Sequence, residues 1–193
     1  MSNEYQVRVY TAPAVEPVTL AEAKVDLRVD HDDDDSLIAN LIVACRQEAE
    51  DIARRAFVNR ALDLSLSGWP ADGYIRLPYP PATSITAITY YKDDNTSATM
   101  ASSDYILVAD IDPAVVALAK DKAWPSDSLR PVAPIRVRYV AGYGAAASAV
   151  PERYKALIRS LVAIRYESRD ELTASHERQL ANIRAALAME WGW

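Results

Sequence analysis

Residues 16–56 constrain the fold most, because they encode two helices separated by an acidic turn. Thr19 and Glu22 have the spacing of a capping box, in which each side chain binds a backbone amide at the start of a helix. This pair predicts that a first helix begins at Thr19. After the turn, apolar residues recur at helical spacing and predict a long second helix with one buried face: Leu37, Ile38, Leu41, Ile42, Cys45, Ala49, Ile52, Ala53 and Ala56. Glu50 and Arg54 are expected to pair on the polar face of this helix.

From residue 59 to residue 144 the apolar period changes from helical to alternating, which indicates β-strands. β-branched and aromatic residues are concentrated in 85–91, and turns rich in proline, glycine and aspartate separate the segments. We expect antiparallel strands here. The alternating positions are Leu62, Leu64, Leu66, Ile135, Val137 and Tyr139.

Helical periodicity resumes at Pro151, a favourable first-turn residue, and a final amphipathic segment follows Ser175. The chain is therefore predicted to be an α+β protein, a helical bundle of about four helices with an inserted antiparallel β region. The expected division is an N-terminal helical part at 1–57, the β region at 58–147, and C-terminal helices at 148–193.

The composition is that of an ordered globular protein, since half of the 193 residues are hydrophobic and only five are glycine. A single cysteine, Cys45, lies on the apolar face of the second helix, which predicts a buried, inert thiol and no disulfide within the chain. The chain lacks an apolar stretch of membrane-spanning length and a signal-peptide pattern. We expect a soluble protein made in a cytoplasm, with no membrane partner.

The net charge of -6 is concentrated in residues 1–56, which hold 12 acidic and 6 basic residues. Residues 57–147 hold 9 acidic and 8 basic residues, and residues 148–193 hold 6 and 7. The sequence shows no basic stripe with interleaved aromatic residues, which is the usual pattern of a protein that grips nucleic acid. Tight DNA binding is therefore not expected.

The acidic turn contains four consecutive aspartates, Asp32, Asp33, Asp34 and Asp35, which invite comparison with a calcium loop. The comparison fails, because Asp35 stands where the loop needs glycine and Leu41 where it needs a bidentate glutamate. We favour a second interpretation, in which the carboxylates cap the second helix and complement its dipole. A contact with a neighbouring subunit is a third.

Catalytic and cofactor motifs are not apparent. The two histidines, His31 and His176, lack a recognisable nucleophile, and the Gly142-Tyr143-Gly144 segment lacks the third glycine of a dinucleotide site. We therefore predict that the protein is not an enzyme and has no catalytic residue, cofactor or metal.

The chain resembles the head-tail connector (adaptor) family of long-tailed bacteriophages and phage-like gene transfer agents. The resemblance covers roughly residues 16–167 and consists of several short stretches in family order. They begin at Glu16 (EPVTLAEAK, followed by the aspartate-rich turn), Gly73 (GYIRLPYPP), Ser84 (SITAITY), Ser103 (SDY), Ala123 (AWP), Val137 (VRYVAGYG) and Val150 (VPE).

The resemblance implies a structural ring, commonly of twelve subunits, at the head-tail junction of the particle. Such a ring binds the portal protein on one side and a stopper or tail-completion protein on the other, and DNA passes through it as non-specific cargo. We expect some carboxylates of the first two helices, Asp32 to Asp35 among them, to face this channel or a neighbouring subunit. Two alternatives stay open: another neck component such as a stopper, and a carboxylate-dependent metalloenzyme.

The last segment, residues 176–193, is predicted to dock on the portal. It carries an apolar stripe and follows a polar stretch at 168–175 that has the length of a tether. The alternative is that it folds back as a fourth core helix of its own subunit. The candidate docking residues are Leu180, Ile183, Leu187, Trp191 and Trp193.

Overall fold

A computed structural model describes residues 5–168 and 173–188. The described residues form both helices and antiparallel sheets, which confirms the predicted α+β class. In chain order the elements are β1 (Tyr5–Thr11), α1 (Leu20–Leu27), α2 (Asp35–Ala53), β2 (Arg60–Leu66), β3 (Tyr74–Arg76), β4 (Ala82–Tyr91), β5 (Ser97–Thr99), β6 (Tyr105–Val108), β7 (Val115–Leu118), β8 (Ile135–Ala141), α3 (Glu152–Glu167) and α4 (Ala174–Ala188).

The chain divides into two compact units. A β unit comprises Met1–Pro13 and Asn59–Gly142, and a helical unit comprises Ala14–Val58 and Tyr143–Trp193. The expectation that the first residues join the helical part was wrong, because β1 pairs antiparallel with β2. Val7 and Val9 alternate with Gln6 and Arg8, and this short strand pattern was overlooked in the sequence.

The β unit contains a five-stranded antiparallel sheet in the order β1-β2-β8-β4-β5 and a three-stranded sheet in the order β3-β7-β6. The predicted alternation is confirmed at β2 and β8, whose leucines, isoleucine, valine and tyrosine point into the core and are buried. The strands β3, β5, β6 and β7 were not predicted, because three or four residues are too few to display a period.

The helical unit begins as expected. The Glu22 amide donates to Thr19 Oγ1 at 3.2 Å, and the Thr19 amide donates to Glu22 Oε2 at 2.7 Å, which completes the capping box.

Within the described residues, no helix is both long and apolar enough to cross a lipid bilayer. The core of the unit is formed by α1 to α4 and the segments that flank them, and includes Ile38, Ile42, Cys45, Phe57, Tyr154, Ile158, Leu161, Leu180, Ile183 and Leu187.

A buried carboxylate, that of Glu50, joins distant parts of the helical unit. Glu50 accepts hydrogen bonds from Arg46 Nη1 at 2.7 Å and from the Phe57 amide at 2.8 Å. Arg46 is itself buried and also binds Glu16, at 2.7 Å from Nε. The Phe57 carbonyl accepts from the Tyr143 amide at 3.0 Å. The placement of Glu50 on the polar face of α2 was therefore wrong: it lies on the inner face and is held there by charge-assisted hydrogen bonds.

We expect Glu50→Ala to destabilise the protein by about 3 to 5 kcal/mol, because it leaves the buried Arg46 without one carboxylate and the Phe57 amide without its acceptor. Urea denaturation followed by circular dichroism would measure the loss. Asp51→Ala is the matched control, since Asp51 is the next residue of α2 and is exposed. Equal stability of the two variants would contradict a structural role for Glu50.

Candidate interaction surfaces

The aspartate turn, residues 30–35, connects three helices. Lys24 of α1 donates to Asp32 at 2.8 Å and to Asp35 at 2.6 Å, so it ties α1 to the start of α2. The Tyr166 hydroxyl of α3 donates to Asp34. The hydrogen bond from Lys24 holds the pKa of Asp32 below its usual range, and the same contacts raise the pKa of Lys24.

The sequence predicts that the aspartate side chains of this turn cap α2. For Asp34, the residue at the N-cap, this prediction was wrong. Asp34 occupies the N-cap position, but its carboxylate makes no capping hydrogen bond and instead receives the Tyr166 hydroxyl. Asp35 remains in the first turn, where its charge complements the helix dipole. In residues 5–168 and 173–188, no group of three or more histidines, cysteines or acids is arranged to hold a metal. That the turn faces a channel or another subunit stays a prediction.

The C-terminal helix α4 packs on its own subunit. Leu180, Ile183 and Leu187 are buried in the helical core, which is the core-helix arrangement rather than that of a free arm. Glu48 of α2 also binds Arg184 of α4, with Nη2 at 2.8 Å, and Arg165 of α3. Burial raises the pKa of Glu48, but the hydrogen bonds and charges of the two arginines outweigh it and hold that pKa below its usual range.

Two of the predicted docking residues, Trp191 and Trp193, lie outside the described residues. Docking of the C-terminal segment on a portal therefore stays a prediction. In the conformation described here, the side of α4 that is available to a partner is the one opposite its buried stripe. It carries polar residues and alanines, among them Arg178, Gln179, Asn182 and Ala185.

We expect a chain that ends at Glu171 to be clearly less stable than the full-length protein. The truncation removes three buried apolar side chains, each contributing roughly 1.5 to 3 kcal/mol. Thermal melting by circular dichroism would measure the loss, and Arg184→Ala, which removes only a partner of Glu48, is the milder comparison. A truncated chain with an unchanged melting temperature would show that α4 behaves as an arm in solution.

The outer face of the five-stranded sheet carries an arginine cluster that we call the arginine face. Its centre is Asp63 on β2, a buried carboxylate. Arg138, directly opposite on β8, donates to both carboxylate oxygens, at 2.8 and 2.9 Å. Arg8 on β1 and Arg136 on β8 each lie 3.9 Å from the same carboxylate. Three guanidinium groups thus surround one negative charge.

Two tyrosines complete the arginine face. The Arg138 guanidinium lies 3.2 Å from the ring centroid of Tyr10, and the Arg130 guanidinium lies 3.9 Å from that of Tyr91. The sequence analysis missed this combination of cations and aromatic rings, because β1, β4, β8 and the loop before β8 bring together residues far apart in the chain. The available signal was the alternation of Arg136 and Arg138 with apolar residues, which places both arginines on one face of a strand.

Asp63 should make the stability of the protein depend on pH. The hydrogen bonds from Arg138 hold the pKa of Asp63 below its usual range, although burial opposes the shift. Its contribution is therefore complete above the pKa it has when unfolded, about 4, and is lost as the pH falls through its lower folded value.

We expect Asp63→Asn to be less stable than the parent protein at pH 7 by about 1 to 3 kcal/mol, and the difference to shrink below about pH 4. Urea denaturation between pH 7 and pH 3 would test this. Asp110→Asn, at an exposed position of the same unit, controls for the change of charge. A difference that stays constant down to pH 3 would show that Asp63 titrates normally.

The sequence matches a known protein family. The sequence model of a family described as phage gp6-like head-tail connector proteins matches residues 17–113, about half of the chain. No curated protein matches the sequence significantly.

Solved structures show the same fold over nearly the whole chain. One, from the virion of a native gene transfer agent particle, aligns with a TM-score of 0.77 and 21% identity, and covers 94% of both chains. A second, from the neck of a native particle computed with C12 symmetry, aligns with a TM-score of 0.75 and 21% identity, again covering 94% of both chains. A third, from the neck of an empty particle computed with C6 symmetry, has a TM-score of 0.75 and 20% identity, and covers 93% of this chain and 95% of the other.

Proposed function

Because this chain belongs to the phage gp6-like head-tail connector family, we propose that it is the adaptor subunit of a particle neck. In this role a ring of subunits joins the portal to the stopper or tail-completion protein. The match of residues 17–113 to the family carries the proposal. The same fold in the necks of gene transfer agent particles supports it.

The proposed ring has twelve copies and works as a structural part rather than as an enzyme. A related fold in a neck computed with C12 symmetry supports that number. The family description, which is that of connector proteins, supports a structural role. The particle neck, in a phage or a gene transfer agent assembled in a bacterial cytoplasm, is the proposed location.

DNA would pass through the ring without being held. Twelve copies of a chain with net charge -6 carry about -72 charges (12 × -6), which opposes lasting contact with phosphates. We propose that some of the carboxylates of α1 and α2 line this passage. The alternative neck role, that of a stopper, is favoured by no specific contact in the structure.

A strain that lacks this protein should make heads without tails, because the proposed adaptor joins the head to the tail. Electron microscopy of the particles tests this, and complementation with the intact gene should restore tails. Native mass spectrometry of the neck complex should find twelve copies of the 21.3-kDa chain, about 256 kDa. Tailed particles without the protein would contradict the adaptor role.

A further inference from the structure

The arginine face has an excess of positive charge, and the proposed adaptor function assigns no role to it. Three arginines, at positions 8, 136 and 138, share the single carboxylate of Asp63, and a fourth, Arg130, lies on the ring of Tyr91. The side chain of Arg8 is 63% exposed, and Tyr10 beside it is 57% exposed. In an acidic chain, such a surface favours a partner that carries carboxylates.

Two of the four cations of this face are held in place. Arg138 is fixed between Asp63 and the ring of Tyr10, and Arg130 lies on Tyr91 while donating to the Ala133 carbonyl at 2.8 Å. Fixed guanidinium groups next to accessible tyrosines are typical of anchors in protein interfaces, because little side-chain entropy is lost on binding. Such an arrangement favours a protein partner over a duplex that must slide past.

Every copy of the chain also carries a matching acidic surface, the aspartate turn. Within it, the side chain of Asp33 is 96% exposed and that of Asp32 is 90% exposed. Asp30 is exposed as well. The chain therefore presents a cationic surface on its β unit and an anionic surface on its helical unit.

A closed ring requires two such surfaces. In a head-to-tail ring each subunit uses one surface toward the neighbour on its left and a different, complementary surface toward the neighbour on its right. We propose that the arginine face of one subunit binds the aspartate turn of the next copy. This inference rests on the proposed function, because it names an interface of the proposed ring.

Photo-crosslinking in assembled particles tests the inference. The photoreactive amino acid p-benzoylphenylalanine replaces Tyr10, and particles are irradiated, digested with trypsin and analysed by mass spectrometry. We expect a product with the mass of two subunits, in which position 10 is joined to the tryptic peptide 29–46, which contains the turn. The same replacement at Ile106, an apolar position with 53% exposure on the other sheet, should give no link to that peptide.

The outcomes separate the interface from the function. A crosslink from position 10 to portal, to DNA or to another part of the neighbouring copy, or no crosslink, would overturn the interface while leaving the adaptor role intact. Particles in which the protein is absent would overturn both.

A charge exchange gives an independent measurement that does not need the photoreactive residue. Arg8→Glu and Asp33→Arg, each alone, should lower the yield of tailed particles by about tenfold or more, because each places like charges across the interface. The double variant should restore most of the yield. Failure of restoration, with both single variants folded by circular dichroism, would refute the pairing.

Discussion

The hydrogen bonds of the buried Glu50 carboxylate are the interaction on which the packing of the helical unit depends. It binds Arg46 and the Phe57 amide, and Arg46 extends the network to Glu16. Glu16 and Phe57 lie close to the points where the chain enters and leaves the first segment of the unit, and Tyr143, which donates to the Phe57 carbonyl, begins the second. Through Arg46 and Phe57, this buried acid is thus linked to three chain ends that are distant from one another in sequence.

Glu50 in the helical unit and Asp63 in the β unit are both buried carboxylates that need a partner. A buried carboxylate is unfavourable unless it is paired and hydrogen-bonded, and in both cases arginine supplies the partner. Glu50 and Glu16 both bind the guanidinium of Arg46, which places two negative charges around one buried cation. Asp63 instead gathers three arginines at a sheet surface and leaves positive charge in excess. The first arrangement lies in the interior of its unit, and the second leaves a cationic surface on the sheet.

The aspartate turn contains two kinds of carboxylate, some bonded within the subunit and some exposed to solvent. Asp34 and Asp35 face inward to Tyr166 and Lys24 and thereby order the first three helices. The side chain of Asp33 is 96% exposed, and its contact with Nδ1 of His31 is a long one, 3.9 Å. One turn thus contains carboxylates that are paired inside the subunit and carboxylates that are exposed to solvent.

Local signals were sufficient for part of the structure. The capping box, the helical period of α2 and α3 and the alternation of β2 and β8 depend on neighbouring residues, so they could be read directly, and the α+β class followed from them. The family resemblance rested on short stretches of the same kind.

The amphipathic pattern of α4 predicted a buried stripe but could not identify its partner, because an apolar face has the same period whether a core or another protein covers it. Only the fold placed Leu187 in the core of its own subunit, Glu50 on the inside of α2, and Arg8 beside Arg138 around Asp63. The contacts of α4 and of the arginine face join positions tens of residues apart, and their pairing is decided by strand order and helix packing rather than by the period of any one segment. The partners of Glu50, Arg46 and Phe57, are near in sequence, but its burial depends on what packs against α2.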